Sequence, residues 1–133
     1  MNKIEHIGIA VKSIEKSEVL FSKLLNTTAY KREEVLSEGV LTSFFQVGES
    51  KIELLEATHE MSAITKFIEK KGEGVHHIAF SVQDIKAEMV RLQNEGFILL
   101  NDTPKQGADN KLVCFLHPKN TNGVLIELCQ EIE

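Results

Sequence analysis

The feature that most constrains this chain is an internal repeat with a constant offset of 71 residues. The segment Ile4–Ile14 aligns with Val75–Ile85, and a histidine, two isoleucines and a valine are identical in the two copies. Each copy begins with an apolar strand pattern and then reaches Ser13 or Asp84, which can accept hydrogen bonds from the free amides of a helix's first turn. Such a repeat predicts two similar structural units, each starting with a strand and a helix.

Further strand-like stretches follow each of these helices. In the first half they cover residues 28–36, 40–47 and 50–56, and in the second half residues 97–101, 111–117 and 123–130. Residues 104–110 and 118–123 are polar and predict loops. The last strands also match, because Lys51–Leu55 resembles Leu125–Cys129. Each half is therefore predicted to fold as β-α-β-β-β.

Apolar residues at helical spacing predict the buried faces of the two repeat helices and of a third helix between the halves. Gly96 suits the left-handed end of the second helix. We predict a single domain over residues 1–133, with module one at about 3–56, a connecting helix at about 60–71 and module two at about 74–130. The predicted apolar faces comprise Ile14, Val19, Phe21, Leu24 and Leu25, then Met61, Ile64, Phe67 and Ile68, then Ile85, Met89, Val90 and Leu92.

Composition excludes several functional classes. A chain of 133 residues with 42% hydrophobic residues is of ordinary globular type. Its net charge of −5 disfavours a nucleic-acid partner, and no apolar stretch reaches bilayer length, so we expect no membrane partner and a cytoplasmic location. Cys114 and Cys129 form no CxxC pair and lie in apolar runs. They predict small core residues rather than a disulfide framework or a thiolate zinc site.

Two polar pairs recur at matched positions of the repeat: His6 with His77, and Glu53 with Glu127. A single strand histidine is usually a hydrogen-bonded core or surface residue, and a strand glutamate often lies on a solvated face. Solvated positions, however, have no reason to keep the same polar residue in both copies. Two imidazoles and two carboxylates supply nitrogen and oxygen ligands for a divalent ion. The repeat therefore predicts a metal site at which the four residues converge.

Other polar residues are weaker candidates. His76 precedes His77 and should point to the opposite face of its strand. His59 and the Arg32–Glu34 cluster are predicted to be solvated. His117, beside a proline, either closes a loop or contacts a ligand. The sequence contains no GxxxxGK[ST], GxGxxG or GxSxG motif, so nucleotide-phosphate binding and serine-hydrolase chemistry have no support.

With the repeated β-α-β-β-β halves, several motifs resemble the vicinal oxygen chelate superfamily, which includes glyoxalase I, extradiol dioxygenases and methylmalonyl-CoA epimerases. The double histidine and the HPK-to-GVLIEL connection are most similar to the epimerase family, whereas glyoxalase I members more usually have a DPDG-type turn before the last strand. The motifs are His6–Val11, Gly74–Phe80, Phe115–Lys119 and Gly123–Leu128.

This resemblance implies an α+β fold in which two modules form one curved eight-stranded mixed sheet around a divalent ion. It implies metal ligation by His6, His77 and Glu127, with Glu53 at a position that holds Gln in some members. Some epimerases also have a glutamate, proposed as one of two bases, where this chain has Thr42. That departure weakens the transfer of a two-base mechanism.

The implied activity is inversion at C2 of methylmalonyl-CoA through an enolate-like anion, by an enzyme that binds an acyl-CoA and forms a homodimer. Glu127 is then the stronger candidate for the base, and Glu53 a ligand and possible second base. The ion could be cobalt, manganese, nickel or zinc. Two alternatives stay open: a glyoxalase-I-like lactoylglutathione lyase, and a metal-free small-molecule binding protein of the bleomycin-resistance type.

Overall fold

A computed structural model describes residues 1–132 of the chain. Eight strands and three α-helices follow one another in the order expected from the repeat, with short 3₁₀ turns between some of them. The first half contains β1 (Lys3–Ala10), α1 (Ile14–Leu25), β2 (Lys31–Val35), β3 (Val40–Val47) and β4 (Ser50–Ala57). After α2 (Ala63–Lys71), the second half contains β5 (Gly74–Ser81), α3 (Ile85–Asn94), β6 (Lys105–Gly107), β7 (Lys111–Leu116) and β8 (Ile126–Glu131).

The strands form one eight-stranded mixed sheet, which confirms the predicted α+β class. Their order is β2-β3-β4-β1-β5-β8-β7-β6. Strand β1 is parallel to β4, and β5 is parallel to β8, whereas the β2–β3, β3–β4, β6–β7 and β7–β8 pairs are antiparallel. The first and last strands of each half are therefore hydrogen-bonded neighbours.

The chain divides into two compact units. The unit we call the first contains residues His6–His76, and the second contains Met1–Glu5 together with the chain from His77 onwards. In the first unit, α1 covers a cluster formed by β1, β3 and β4, whose buried members are Val11, Ile14, Phe45 and Leu54. In the second unit, α3 covers the corresponding cluster of Val82, Ile85, Met89, Leu92, Cys114, Leu116 and Leu128.

The repeat helices begin at the predicted caps. The Ser13 hydroxyl accepts a hydrogen bond from the Lys16 amide, and the Asp84 carboxylate accepts one from the Ala87 amide. These bonds satisfy amides that have no partner within the first turn of a helix. Gly96, just after α3, has a φ of 98°, as its predicted role requires.

The buried faces of the helices are narrower than predicted. Val19 and Leu24 of α1 are 57% and 70% exposed, and Val90 of α3 is 58% exposed. Residues of a helix point in different directions around its axis. Val19 and Leu24 therefore need not face the same side as buried Ile14, and Val90 need not face the same side as buried Ile85. Met61 precedes Ala63, the first residue of α2, so it is not part of that helix. It is also 72% exposed and therefore contributes nothing to the buried face.

The sixth strand is displaced from its predicted position. Residues 97–101 form an isolated bridge between Leu99 and Leu116 instead of a strand, and Phe97 and Leu99 pack against the α3 cluster. The strand β6 lies instead at residues 105–107, within the segment predicted to be a polar loop. At Gly107 a Cβ atom would stand 3.0 Å from Val113, so the missing side chain permits close approach to β7.

Among the helices of residues 1–132, none has the length and apolar content needed to span a bilayer.

Candidate functional site

The first unit brings His6 and Glu53 together. Nδ1 of His6 lies 3.1 Å from Oε2 of Glu53, and the two residues are 4% and 5% exposed. They reach each other because β1 and β4 are parallel and in contact, with Gly8 in register with Glu53. Burial of a carboxylate requires such a polar partner.

Alternation along β1 explains why this histidine faces inwards. His6, Gly8 and Ala10 are buried on one face, whereas Ile9 lies on the other face under α1. The small residue at Gly8 stands beside Glu53 in the neighbouring strand, so the carboxylate is not crowded by a bulky side chain there.

The second unit contains an equivalent pair. Nε2 of His77 lies 2.9 Å from Oε1 of Glu127, and the residues are 5% and 6% exposed. Here β5 and β8 are parallel, with Ala79 in register with Glu127. Each glutamate therefore pairs with the second residue after its histidine, and that residue is small in both units.

A phenylalanine stands directly across from each glutamate. Phe44 of β3 is in register with Glu53, and Phe115 of β7 is in register with Glu127. The ring of Phe115 meets the His77 ring edge-on at a centroid distance of 5.8 Å. These rings give each His–Glu pair an apolar neighbour, which strengthens its electrostatic interactions.

A lysine lies over each of these rings. Nζ of Lys31 is 4.9 Å from the Phe44 centroid, and Nζ of Lys105 is 5.9 Å from the Phe115 centroid. Nζ of Lys31 also lies 3.5 Å from Oε1 of Glu33 in the same strand. Cations at this distance from an aromatic face are favourably placed.

Cys129 makes a polar contact that its sequence pattern did not predict. Its prediction as a small buried residue is confirmed, since it is 1% exposed. Its thiol also donates a hydrogen bond to Oε2 of Glu127, at an Sγ–Oε2 distance of 3.1 Å. The available signal was the spacing of two residues along β8, which puts both side chains on one face.

Thr42 is buried at 2% exposure, in register with Leu55 of β4. Thr42 and Phe44 are two residues apart on β3, so they share the face on which Glu53 lies. The position that the family resemblance links to a base therefore presents a hydroxyl on this face. A hydroxyl does not ionise near neutral pH and is a poor general base.

The remaining polar candidates have structural contacts. His76 packs edge-on against Phe67 of α2 at a centroid distance of 5.0 Å. Exposed His59 accepts a hydrogen bond at Nδ1 from the Met61 amide. His117 caps a 3₁₀ turn by accepting a hydrogen bond from the Lys119 amide, at 3.1 Å, so it closes the loop after β7.

Arg32 is exposed as predicted, and it makes a specific contact in the first unit. Its guanidinium donates two hydrogen bonds of 2.8 Å to the carboxylate of Glu18, which also accepts one of 2.6 Å from the Ser43 hydroxyl. The Arg32 hydrogen bonds lower the pKa of Glu18, with a smaller contribution from Ser43 and against the effect of burial. This network ties α1 to β2 and β3 on the side away from Glu53.

The two pairs offer the ligand types that divalent ions use. Each supplies one imidazole and one carboxylate, and both residues of each pair are nearly inaccessible to solvent. Nitrogen and oxygen donors suit zinc, cobalt, nickel and manganese, and two carboxylates balance the charge of a divalent ion. The donor set of the chain therefore fits a metal of this group.

Comparison with known proteins bears on what such residues do. The family model for the Glyoxalase/Bleomycin resistance protein/Dioxygenase superfamily matches residues 5–115. The chain belongs to this superfamily. The match extends from the strand that carries His6 to the strand that carries Phe115, and so it includes most of both repeats.

Individual relatives of this superfamily cover nearly the whole chain. The uncharacterized protein YqjC of Bacillus subtilis is 39% identical over 130 residues, which are 98% of this chain and 93% of that protein. The ethylmalonyl-CoA/methylmalonyl-CoA epimerase of Cereibacter sphaeroides is 37% identical over 132 residues, with 98% of both chains covered. A variant of Streptomyces coelicolor methylmalonyl-CoA epimerase in complex with 2-nitronate-propionyl-CoA aligns with a TM-score of 0.94 and 34% identity, covering 98% of this chain and 95% of that one.

Proposed function

We propose that this chain catalyses inversion at C2 of methylmalonyl-CoA, as a metal-dependent epimerase. The observation that carries the proposal is the pair of buried His–Glu contacts in identical register, in a chain whose relatives at 34–37% identity include named epimerases of this substrate. An enzyme that exchanges a carbon-bound proton needs basic groups held away from bulk water, and both carboxylates are so held.

The substrate's chemistry explains the need for these groups. The C2 proton is flanked by a thioester carbonyl and a carboxylate, so its removal leaves an enolate-like anion. A bound divalent ion would supply Lewis-acid stabilisation of that negative charge. We propose that His6, Glu53, His77 and Glu127 together hold one such ion, which could be cobalt, manganese, nickel or zinc.

Inversion requires removal of the proton from one face of C2 and delivery to the other. We assign Glu127 as the stronger candidate for the base, with Glu53 as ligand and possible second base. Thr42 cannot take the second role, because its hydroxyl is not basic near neutral pH. The apolar rings of Phe44 and Phe115, in register with the two glutamates, would limit access of water to the carbanion.

The substrate class follows from the relatives. The Streptomyces coelicolor epimerase variant binds 2-nitronate-propionyl-CoA, an acyl-CoA analogue. We therefore propose that this chain binds an acyl-CoA. Lys31 and Lys105, each above one of the paired phenylalanines, offer positive charge for its anionic groups.

We also propose a cytoplasmic homodimer. Leu20 and Leu24 of α1 are 63% and 70% exposed and are one helical turn apart, so they present an apolar surface that a second copy could cover. The two free cysteines suit a reducing compartment. Light scattering at micromolar concentration should give twice the mass of the chain, and a monomer at that concentration would contradict the dimer.

Proton exchange followed by NMR in deuterated buffer tests the activity. Purified protein, loaded with each candidate metal, is incubated separately with methylmalonyl-CoA and with the methylglyoxal–glutathione adduct. We expect rapid loss of the C2 proton signal from methylmalonyl-CoA and no turnover of the adduct. Conversion of the adduct to lactoylglutathione without exchange in methylmalonyl-CoA would identify a lyase, and no metal uptake would point to a binding protein.

A further inference from the structure

The carboxylate of Glu127 is held at both oxygens by groups of the second unit. Oε1 lies 2.9 Å from Nε2 of His77, and Oε2 lies 3.1 Å from Sγ of Cys129, which donates the hydrogen bond. The thiol is fully buried and packs with Ala79 and Val113. A donor in such surroundings has no water to compete for its proton.

The repeat provides an internal comparison for this contact. Cys129 follows Glu127 by two residues, and the equivalent residue of the first unit is Leu55, two residues after Glu53. Their partners in the adjacent antiparallel strand are equivalent in the repeat: Cys129 is in register with Val113, and Leu55 is in register with Thr42. The side chain of Leu55 has no polar hydrogen, and it packs in an apolar cluster with residues of α2. The side chain two residues after Glu127 can therefore donate a hydrogen bond, whereas the side chain two residues after Glu53 cannot.

We propose that Cys129 is a positioning residue: its thiol fixes the Glu127 carboxylate in the orientation needed for metal binding. The inference rests on the proposed metal-dependent function. Outer groups that hydrogen-bond to a metal ligand orient it and reduce the freedom that binding must remove, and their loss typically lowers metal affinity about 10- to 100-fold. The thiol is a weak donor, so we expect an effect near the lower end of that range.

Four variants separate this role from simple packing. Cys129→Ala removes the donor and leaves a small cavity, whereas Cys129→Val removes the donor and fills the space with a somewhat larger apolar side chain. Cys129→Ser keeps a donor at the same position. The matched control is Cys114→Ala, because Cys114 is the other buried cysteine but belongs to the cluster under α3 and contacts backbone oxygens of Asn101 and Phe115.

The readout is Co²⁺ binding to metal-free protein by calorimetry, with circular dichroism to verify that each variant is folded. We expect Cys129→Ala and Cys129→Val to raise the Kd for Co²⁺ about tenfold. Cys129→Ser should stay within about threefold of the wild type, and Cys114→Ala should match it.

Three results would overturn the inference in different ways. Equal Co²⁺ affinity of the wild type and a folded Cys129→Val or Cys129→Ala variant would remove the positioning role while leaving the proposed metal site intact. Equal weakening by Cys114→Ala would show that loss of a buried sulfur, and not of the hydrogen bond, is responsible. Failure of the wild type to bind any divalent ion would overturn both the inference and the metal-dependent function.

Discussion

Glu127 pairs in register with Ala79, the second residue after His77. The same relation holds in the first unit, where Glu53 pairs with the second residue after His6. Parallel strands in contact place such residues side by side, and a shift of one residue would turn either glutamate to the opposite face. The register therefore determines that each imidazole meets a carboxylate.

Glu127→Gln should separate metal binding from proton transfer. The amide keeps the side chain's length and one oxygen donor but cannot accept a proton near neutral pH. We expect exchange of the C2 proton to fall by about 10²–10⁴, the usual effect of losing a general base. Elemental analysis should still detect the metal. Near-normal exchange with metal retained would make Glu53 or a metal-bound hydroxide the first candidate for the base.

His6→Ala should lose metal and activity together, because an alanine has no donor atom to replace the imidazole nitrogen. The matched control is His76→Ala, because the His76 ring packs edge-on against Phe67 of α2. Metal content by elemental analysis should fall for the first variant and stay at the wild-type level for the second. Full metal occupancy in His6→Ala would remove His6 from the ligand set.

Glu53→Gln tests whether this carboxylate is a base as well as a ligand. If Glu53 handles one face of C2, the variant should retain metal but slow deuterium incorporation by about 10²–10⁴ starting from one epimer. Exchange from the other epimer, initiated by Glu127, should be affected less. Equal, wild-type exchange from both epimers would limit Glu53 to metal binding.

The contact of Glu18 with Arg32 predicts a pH-dependent effect on stability. The pKa of Glu18 is lowered in the folded protein, chiefly by the Arg32 hydrogen bonds. Its contribution to stability is therefore complete above the ordinary glutamate pKa of about 4.3, and it is lost as the pH falls through the lower, folded value.

We expect Glu18→Gln to have a lower urea midpoint than the wild type at pH 7, with the difference shrinking as the pH falls below about 4. Glu15→Gln, which neutralises an exposed acid in the first turn of the same helix, should change the midpoint less. A difference for Glu18→Gln that grows on acidification would contradict the sign of the pKa shift.

Much of this arrangement could be predicted because the sequence repeats itself. The repeat marks His6 and His77 at the same place in two copies of one strand, and the last strands align Glu53 with Glu127. Burial on one face follows from strand alternation. The family resemblance then supplied the fold class, which the strand order confirms.

Other features depend on tertiary packing that leaves no local pattern. Strand β6 lies at the edge of the sheet and pairs with β7 alone. Its pairing depends on backbone hydrogen bonds and on the close approach of Gly107 to Val113, and neither requires an apolar strand pattern in the sequence. The more apolar residues around Leu99 were the better strand candidate by sequence, but they form an isolated bridge from Leu99 to Leu116 of β7. The hydrogen bond from the Cys129 thiol to Glu127 could not be predicted either, because an apolar run in the sequence does not show which acceptor a buried thiol contacts.

The parallel pairing of β1 with β4 and of β5 with β8 also determines when each His–Glu pair can form during synthesis. His6 and Glu53 are 47 residues apart in the chain, and His77 and Glu127 are 50 apart. In each module translation produces the imidazole first and the carboxylate last, after the helix and the two intervening strands. A nascent chain arrested before β8 would carry His77 without its acid, and closing such a long loop is slow compared with forming a local hairpin. Each His–Glu pair can therefore form only after the last strand of its own module has been synthesised.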